Sequence, residues 1–339
     1  MVSTEVIDSY GDIIVACSNV NFLVSSNALS LASPVLYGMF TPGVKEGLAV
    51  RGIPGSFETP VIPFPDDDPD TFRLFCNLAH HKLPALPETL DTNSLKDLAV
   101  FIVKYACRPA IIDRGWLWIT KDELFAQPSP EDCWNALLFA YAMDLPDRFS
   151  YFSGKLLSSR RQSFSNWDYA LENLEFMPHH VLEQLDIKQA LLHSNVEIAL
   201  MEIVSVAQSK SSKECRKLKM FLGSYSQILW KAGILPGMLE LRGKTLPQIM
   251  HCALGLPAIS YNPGSGECDG YYNECFCSHA NELDIKQHLL EKLMKCVEDE
   301  QAGICLSCVK REPCDKHSRI HKEDGMLGNE EKEVSSPRI

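Results

Sequence analysis

Gly11-Asp12-Ile13-Ile14-Val15-Ala16-Cys17 is the stretch on which the fold turns. Ile13, Ile14 and Val15 form a dense β-branched run, which predicts a strand covered on both faces. Asn19-Val20-Asn21 offers a turn, and Phe22-Leu23-Val24 is expected to pair back as a second strand. Asn27 stands as a helix cap before Ala28, Leu29, Leu31 and Ala32. Ser33-Pro34 reads as the cap and first position of the next helix, which carries Val35, Leu36, Met39 and Phe40. The Gly- and Pro-rich interval from Thr41 to Pro60 predicts a long, mobile loop. Beyond it, Val61-Ile62-Pro63-Phe64 fits an edge strand, because Pro63 cannot donate to a ladder.

Asp68-Pro69-Asp70 supplies a cap, a proline at the first position and an acid near the positive dipole end of a helix that carries Phe72, Phe75, Cys76 and Ala79. Asn93 or Ser94 opens a further helix with Leu95, Leu98, Ala99, Ile102 and Val103 on one face. The order is strand, strand, helix, helix, strand, helix, helix, an α+β module over residues 10–110. Residues 115–250 read as helices only. Ser129-Pro130-Glu131-Asp132 repeats the cap-proline-acid signal, and helical segments follow at Phe149 to Leu157, Val181 to Leu192, Val196 to Gln208 and Cys215 to Lys231. The five tryptophans are scattered and are expected to pack helices together.

The formal charge of −12 argues against nucleic acid as the main partner, since phosphate binding needs clustered Lys and Arg. Met1 to Tyr10 has neither the basic start nor the apolar centre of a secretory signal, and no apolar run approaches a membrane span. A cytoplasmic or nuclear protein is expected, without membrane partners. Thirteen cysteines, an odd count, make a disulfide framework an unlikely reading in such a compartment.

The first module resembles a BTB (POZ) domain of the kind common in fungal proteins without a zinc-finger array or Kelch partner. Gly11-Asp12, Ser33-Pro34-Val35-Leu36, Asp67-Asp68-Pro69-Asp70-Thr71-Phe72 and Tyr105-Ala106-Cys107 carry the likeness. Leu138-Phe139-Ala140-Tyr141, Phe149, Phe152 and Pro178-His179-His180-Val181-Leu182 extend it through the helical region to about residue 230. The resemblance implies a protein-docking module. It also implies a contact between Val44-Lys45-Glu46, a hydrophobic-any-Glu motif, and a cullin scaffold, and an interface or groove role for Asp12. The plainer reading of Asp12 is a turn residue satisfying nearby backbone N–H groups, and that of Val44-Lys45-Glu46 is a solvated loop. Ser25 stands where the family usually has His. Ten residues precede Gly11, too few for the extra helix of the family's homodimers.

Seven cysteines crowd between Cys268 and Cys314, within a Cys/His-rich segment over residues 260–322. Cys305-x-x-Cys308 followed by Cys314-x-x-His317 has metal-ligand spacing, and Cys275-x-Cys277 would share one face of an extended segment. Thiolates with imidazole favour structural zinc, which would add the folding energy that a short apolar stripe cannot. Two closed ligand sets are open: Cys305, Cys308, Cys314 and His317, or Cys275, Cys277, Cys305 and Cys308. A helix capped by Asn281 would join the halves, with Ile285, Leu289, Leu293 and Cys296 as its core stripe. Residues 323–339 are charged and apolar-poor, a composition expected to be disordered.

No Gly-rich phosphate loop, Gly-x-Ser-x-Gly elbow or His-Glu-x-x-His motif occurs. The absence of these motifs together with the resemblance points to a non-enzymatic adaptor or scaffold, and the resemblance implies a cullin-type ubiquitin ligase as one assembly it could feed. The alternative is a regulator whose Cys-rich end binds zinc or senses redox state.

Overall fold

The computed structural model describes residues 3–51, 59–121, 128–174, 176–209, 216–257 and 284–312. A small four-stranded sheet lies at the N-terminal end, and helices make up the rest of the described chain. The strands are β1 (Ser3–Val6), β2 (Ile13–Cys17), β3 (Val20–Val24) and β4 (Val61–Phe64), in the order β1-β3-β2-β4. β2 and β3 form an antiparallel hairpin, whereas β4 runs parallel to β2 with Val15 opposite Ile62. Ile13, Val15 and Cys17 are fully buried, but Ile14 and Ala16 are only half covered. One face of β2 thus meets the core, in place of the two faces expected from its run of β-branched residues. Pro63 lies on the edge strand, as expected.

Between β3 and β4 the chain forms α1 (Ser26–Ala32), α2 (Pro34–Met39) and α3 (Lys45–Arg51). The helix α3 corrects the expectation of a loop throughout Thr41 to Pro60. Gly47 makes its docking feasible: a Cβ there would lie 1.7 Å from the Thr41 carbonyl oxygen. α1 is capped by Ser25, not Asn27, with the Ser25 hydroxyl accepting from the Ala28 N–H at 3.3 Å. Ser33-Pro34 and Asp68-Pro69 start α2 and α4 (Pro69–Ala79) as their chemistry predicts. α5 (Thr92–Tyr105) is capped by Asp91, not by Asn93 or Ser94.

Beyond α5 lie α6 (Arg108–Thr120), α7 (Pro130–Ala142), α8 (Pro146–Ser159) and α9 (Asp168–Glu172). The chain continues through α10 (His180–Ser209), α11 (Arg216–Lys231), α12 (Leu239–Arg242) and α13 (Leu246–Leu254). The last described helices are α14 (Ile285–Gln301) and α15 (Leu306–Val309). The two helices expected over Val181 to Gln208 are one unbroken helix, α10. By length and composition α10 could cross a membrane, contrary to the expectation from the sequence. Many of its apolar side chains pack instead into two cores, while Ile187, Leu191 and Ile198 are exposed. Val181, Leu182, Leu185 and Leu192 belong to a core shared with the sheet and α4–α9, and Val196, Leu200 and Ile203 to a second with α11–α14.

α14 begins at an Asp284 cap, not Asn281, and buries the expected Ile285, Leu289, Leu293 and Cys296. The chain then turns at Gly303, with φ +58°, and residues 302–312 run back over α8 as a strap. A Cβ on Gly303 would stand 2.0 Å from the Ser150 carbonyl oxygen, so no other residue fits this crossing. The Ile304 N–H donates to Ser153 Oγ at 2.9 Å, and His180 Nε2–H donates to the Val309 carbonyl at 2.7 Å. Ile304, Leu306 and Val309 enter the first core.

Asp67, just after β4, holds the N-terminal module at its crossing point. Its side chain is 6% exposed. Tyr105 Oη–H donates to Oδ2 at 2.7 Å, and Lys104 Nζ to Oδ1 at 2.9 Å. Cys17 Sγ donates to the Asp67 carbonyl at 3.0 Å, and Ser33 Oγ to the Tyr105 carbonyl at 2.5 Å. Burial first, and then the Asp67 carboxylate, pushes the Tyr105 hydroxyl far up, so it remains a donor. Asp67→Ala leaves a buried hydroxyl and a cation without their acceptor. It is expected to cost about 2–4 kcal/mol in chemical denaturation, against about 0.5 kcal/mol or less for an exposed acid such as Asp66.

Candidate docking surface

Asp12 lies in the turn before β2. Its Oδ1 accepts the Ser26 N–H and its Oδ2 the Ser26 hydroxyl, both at 2.6 Å. Both oxygens are therefore engaged within the chain, fastening the start of β2 to the first turn of α1. Beside this contact, His80 at the end of α4 reaches Ser25: its Nε2 accepts the Ser25 N–H at 3.0 Å, and its Nδ1 lies 2.8 Å from the Cys76 carbonyl. These two bonds together require the neutral Nδ1–H tautomer. A histidine from another helix thus serves the α1 entry, at a residue where the sequence showed only Ser25. The tandem His80-His81 gave no signal of this role.

Val44 and Glu46 are placed at the start of α3. Val44 is 40% exposed and Leu48, one turn on, is 62% exposed, so two apolar side chains face solvent beside the half-buried Glu46. The Leu48 N–H donates to the Val44 carbonyl at 3.0 Å, so the motif is built into a helical turn. Asp12 and the Val44–Glu46 turn are thus presented by separate connections around the sheet.

Between α1 and α6 runs an open groove of ≈ 860 Å³. Its walls bring small residues, Ala28, Ala79 and Ala110, under a rim of Leu31, Leu83 and Leu117. Leu31 is 82% exposed and Leu117 50%, which marks an apolar lip of the kind that partner surfaces cover. At one wall Arg114 donates to the Pro87 carbonyl at 3.0 Å and lies over the Trp118 ring.

Not all the tryptophans pack helices as the sequence predicts. Trp118, Trp134 and Trp167 are buried, but Trp116 and Trp230 are exposed. Arg148 lies over the Trp116 ring at 5.5 Å, joining α6 to α8 at the surface.

The cysteines divide by place. Burial pushes the thiols of Cys17, Cys107 and Cys133 up, to about 11, 12 and 12, so none of them is a thiolate at neutral pH. Cys305 is the cap residue of α15 and Cys308 lies one turn on, both half-buried. Cys275, Cys277, Cys314 and His317 lie outside the described residues. Among the described residues no group of three or more His, Cys, Asp or Glu side chains is arranged to hold a metal ion. The Cys305–Cys308 turn could contribute at most two thiolates to a tetrahedral site.

No known protein-family profile matches the chain, and no curated protein matches it in sequence. Because α14 and α15 are built into the two cores, zinc is best assayed on the full chain. If the Cys305–Cys308 turn holds zinc, the purified protein carries bound metal and Cys305→Ser with Cys308→Ser releases it. A folded, metal-free native chain contradicts a zinc site.

Proposed function

We propose that the N-terminal module is a BTB/POZ domain and that the protein acts by docking other proteins, as an adaptor or scaffold. The observation that carries this reading is the order of elements from β2 to α5. It is the order implied by the resemblance, with the short α3 and a 3-10 turn at Leu83–Ala85 added. The partners proposed are a cullin-type scaffold and a client protein. The cullin contact is assigned to the Val44–Glu46 turn, where an exposed apolar side chain stands beside a carboxylate at a helix start. The groove between α1 and α6 offers a separate apolar surface for a client, so both could bind at once. On this reading the work is recognition, through shape and apolar burial, without bond chemistry.

A second reading, a regulator whose Cys-rich end binds zinc or senses redox state, draws on the half-buried Cys305–Cys308 turn. It differs from the first in needing no partner at α3.

Affinity purification of the full chain from its native cell, followed by mass spectrometry, separates the two. The expected result is recovery of a cullin together with further proteins. Val44→Ala with Glu46→Ala should then reduce cullin recovery by about tenfold or more, the size of a short-motif anchor, while leaving the other proteins bound. Cullin recovery that survives this double substitution rules out the assigned contact.

A further inference from the structure

The strap over α8 leaves α14 through Glu300, and Glu300 is the least expected residue in the interior. It is 4% exposed, and among the described residues it makes no ion pair, the charge nearest its carboxyl being Arg161. It lines a narrow, partly open space of ≈ 10 Å³ with Arg161, Gln189 and His193, walled otherwise by Leu157, Leu192 and other apolar side chains. That space is about the size of one water probe. Arg161, just beyond α8, answers it incompletely. Its Nη1 lies 2.7 Å from His193 Nε2, but its Nε and Nη2 are buried without an acceptor. A carboxyl and the side-on edge of a guanidinium thus face one small space without touching, where the two cores and the strap meet.

We propose that Glu300 is a proton-operated latch on the strap: as the acid it lets residues 302–312 stay seated on α8, and as the carboxylate it loosens them, giving its proton to solvent. The geometry explains the direction. A neutral carboxyl is tolerated in a narrow, mostly apolar space, whereas a carboxylate held off Arg161, the cation nearest it among the described residues, is disfavoured. The strap is fixed immediately beyond, at Gly303 and Ile304, so strain at Glu300 acts on its first contacts. Release would uncover the seats of Ile304, Leu306 and Val309 on the first core and free the Cys305–Cys308 turn.

Burial pushes the Glu300 carboxyl up from its ordinary 4.5 to about 7, with Arg161 offsetting only part of the effect. The seated strap therefore holds the proton more tightly than the free strap does. Its advantage is complete below about 4.5, falls as pH rises toward about 7, and is lost above that. Across the whole window the seated-to-free ratio should fall by up to about two orders of magnitude. The other titratable and charged groups facing Glu300 are Arg161, which keeps its charge throughout, and His193. Burial and Arg161 hold His193 below its ordinary 6.5, so it acts at the acid end and in the opposite sense.

Hydrogen–deuterium exchange of the full chain at pH 5.5, 6.5 and 8, corrected for the intrinsic pH dependence of exchange, tests this. Peptides covering 299–312 and 150–161 should lose protection by about tenfold or more between pH 5.5 and 8. Glu300→Gln keeps the shape and removes the titration, so its corrected protection should stay level or rise slightly as His193 is left to act alone. Ser153→Ala removes a strap hydrogen bond without touching the titration; it should raise exchange at every pH and leave the slope intact. A native chain with level protection, or a Glu300→Gln chain with the native slope, overturns the latch.

Discussion

The parallel pairing of β2 with β4 constrains the N-terminal module more than any other contact. Parallel strands cannot be joined by a tight turn, so the chain from Cys17 to Val61 must leave the sheet and return. After β3, which stays in the sheet beside β2, it does so through α1, α2 and α3, so helices and not a loop alone make the return. The candidate docking residues are products of that route. α1 supplies one wall of the groove, and α3 presents Val44 and Leu48 to solvent. Asp67, beside the end of β4, then ties the return in place through Cys17, Lys104 and Tyr105.

Helix α10 imposes a second constraint. It serves two cores along its length, so its sequence must be apolar on the sides that meet both, which contributes to its membrane-span composition. The junction it creates gathers Arg161, His193 and Glu300 where neither core can enclose them in apolar surroundings alone. The strap crosses at this junction. A small C-terminal segment with little apolar content of its own thereby gains a core by borrowing the first one, through Ile304, Leu306 and Val309.

Much of this was legible in the sequence, and the failures have physical causes. Ser33-Pro34, Asp68-Pro69 and Ser129-Pro130 announced their helices because capping is local chemistry, complete within four residues. β1 went unseen because Ser3-Thr4-Glu5-Val6 has no apolar period; its place is set by pairing with Val20 to Leu23, a tertiary event. α3 was masked by the glycines around it, one of which, Gly47, is there for its close approach to Thr41. Of the candidate site, Val44 and Glu46 were readable as a short motif. The groove between α1 and α6, and the His80 contact to Ser25, join residues more than fifty positions apart and have no local signature. Glu300 has no local signal either, since nothing in Glu298-Asp299-Glu300 says which carboxyl faces inward.

On the proposed function, the N-terminal module is the surface by which this protein meets others. Cross-linking mass spectrometry with an amine-reactive linker, on complexes captured through the full chain from its native cell, tests it most directly. Lys45 on α3 and Lys82 beside the groove are both exposed, as are Lys231 on α11 and Lys295 on α14. Inter-protein cross-links should then concentrate on Lys45 and Lys82. Cross-links confined to Lys231 and Lys295, with Lys45 and Lys82 joined only to residues of the same chain, would contradict it.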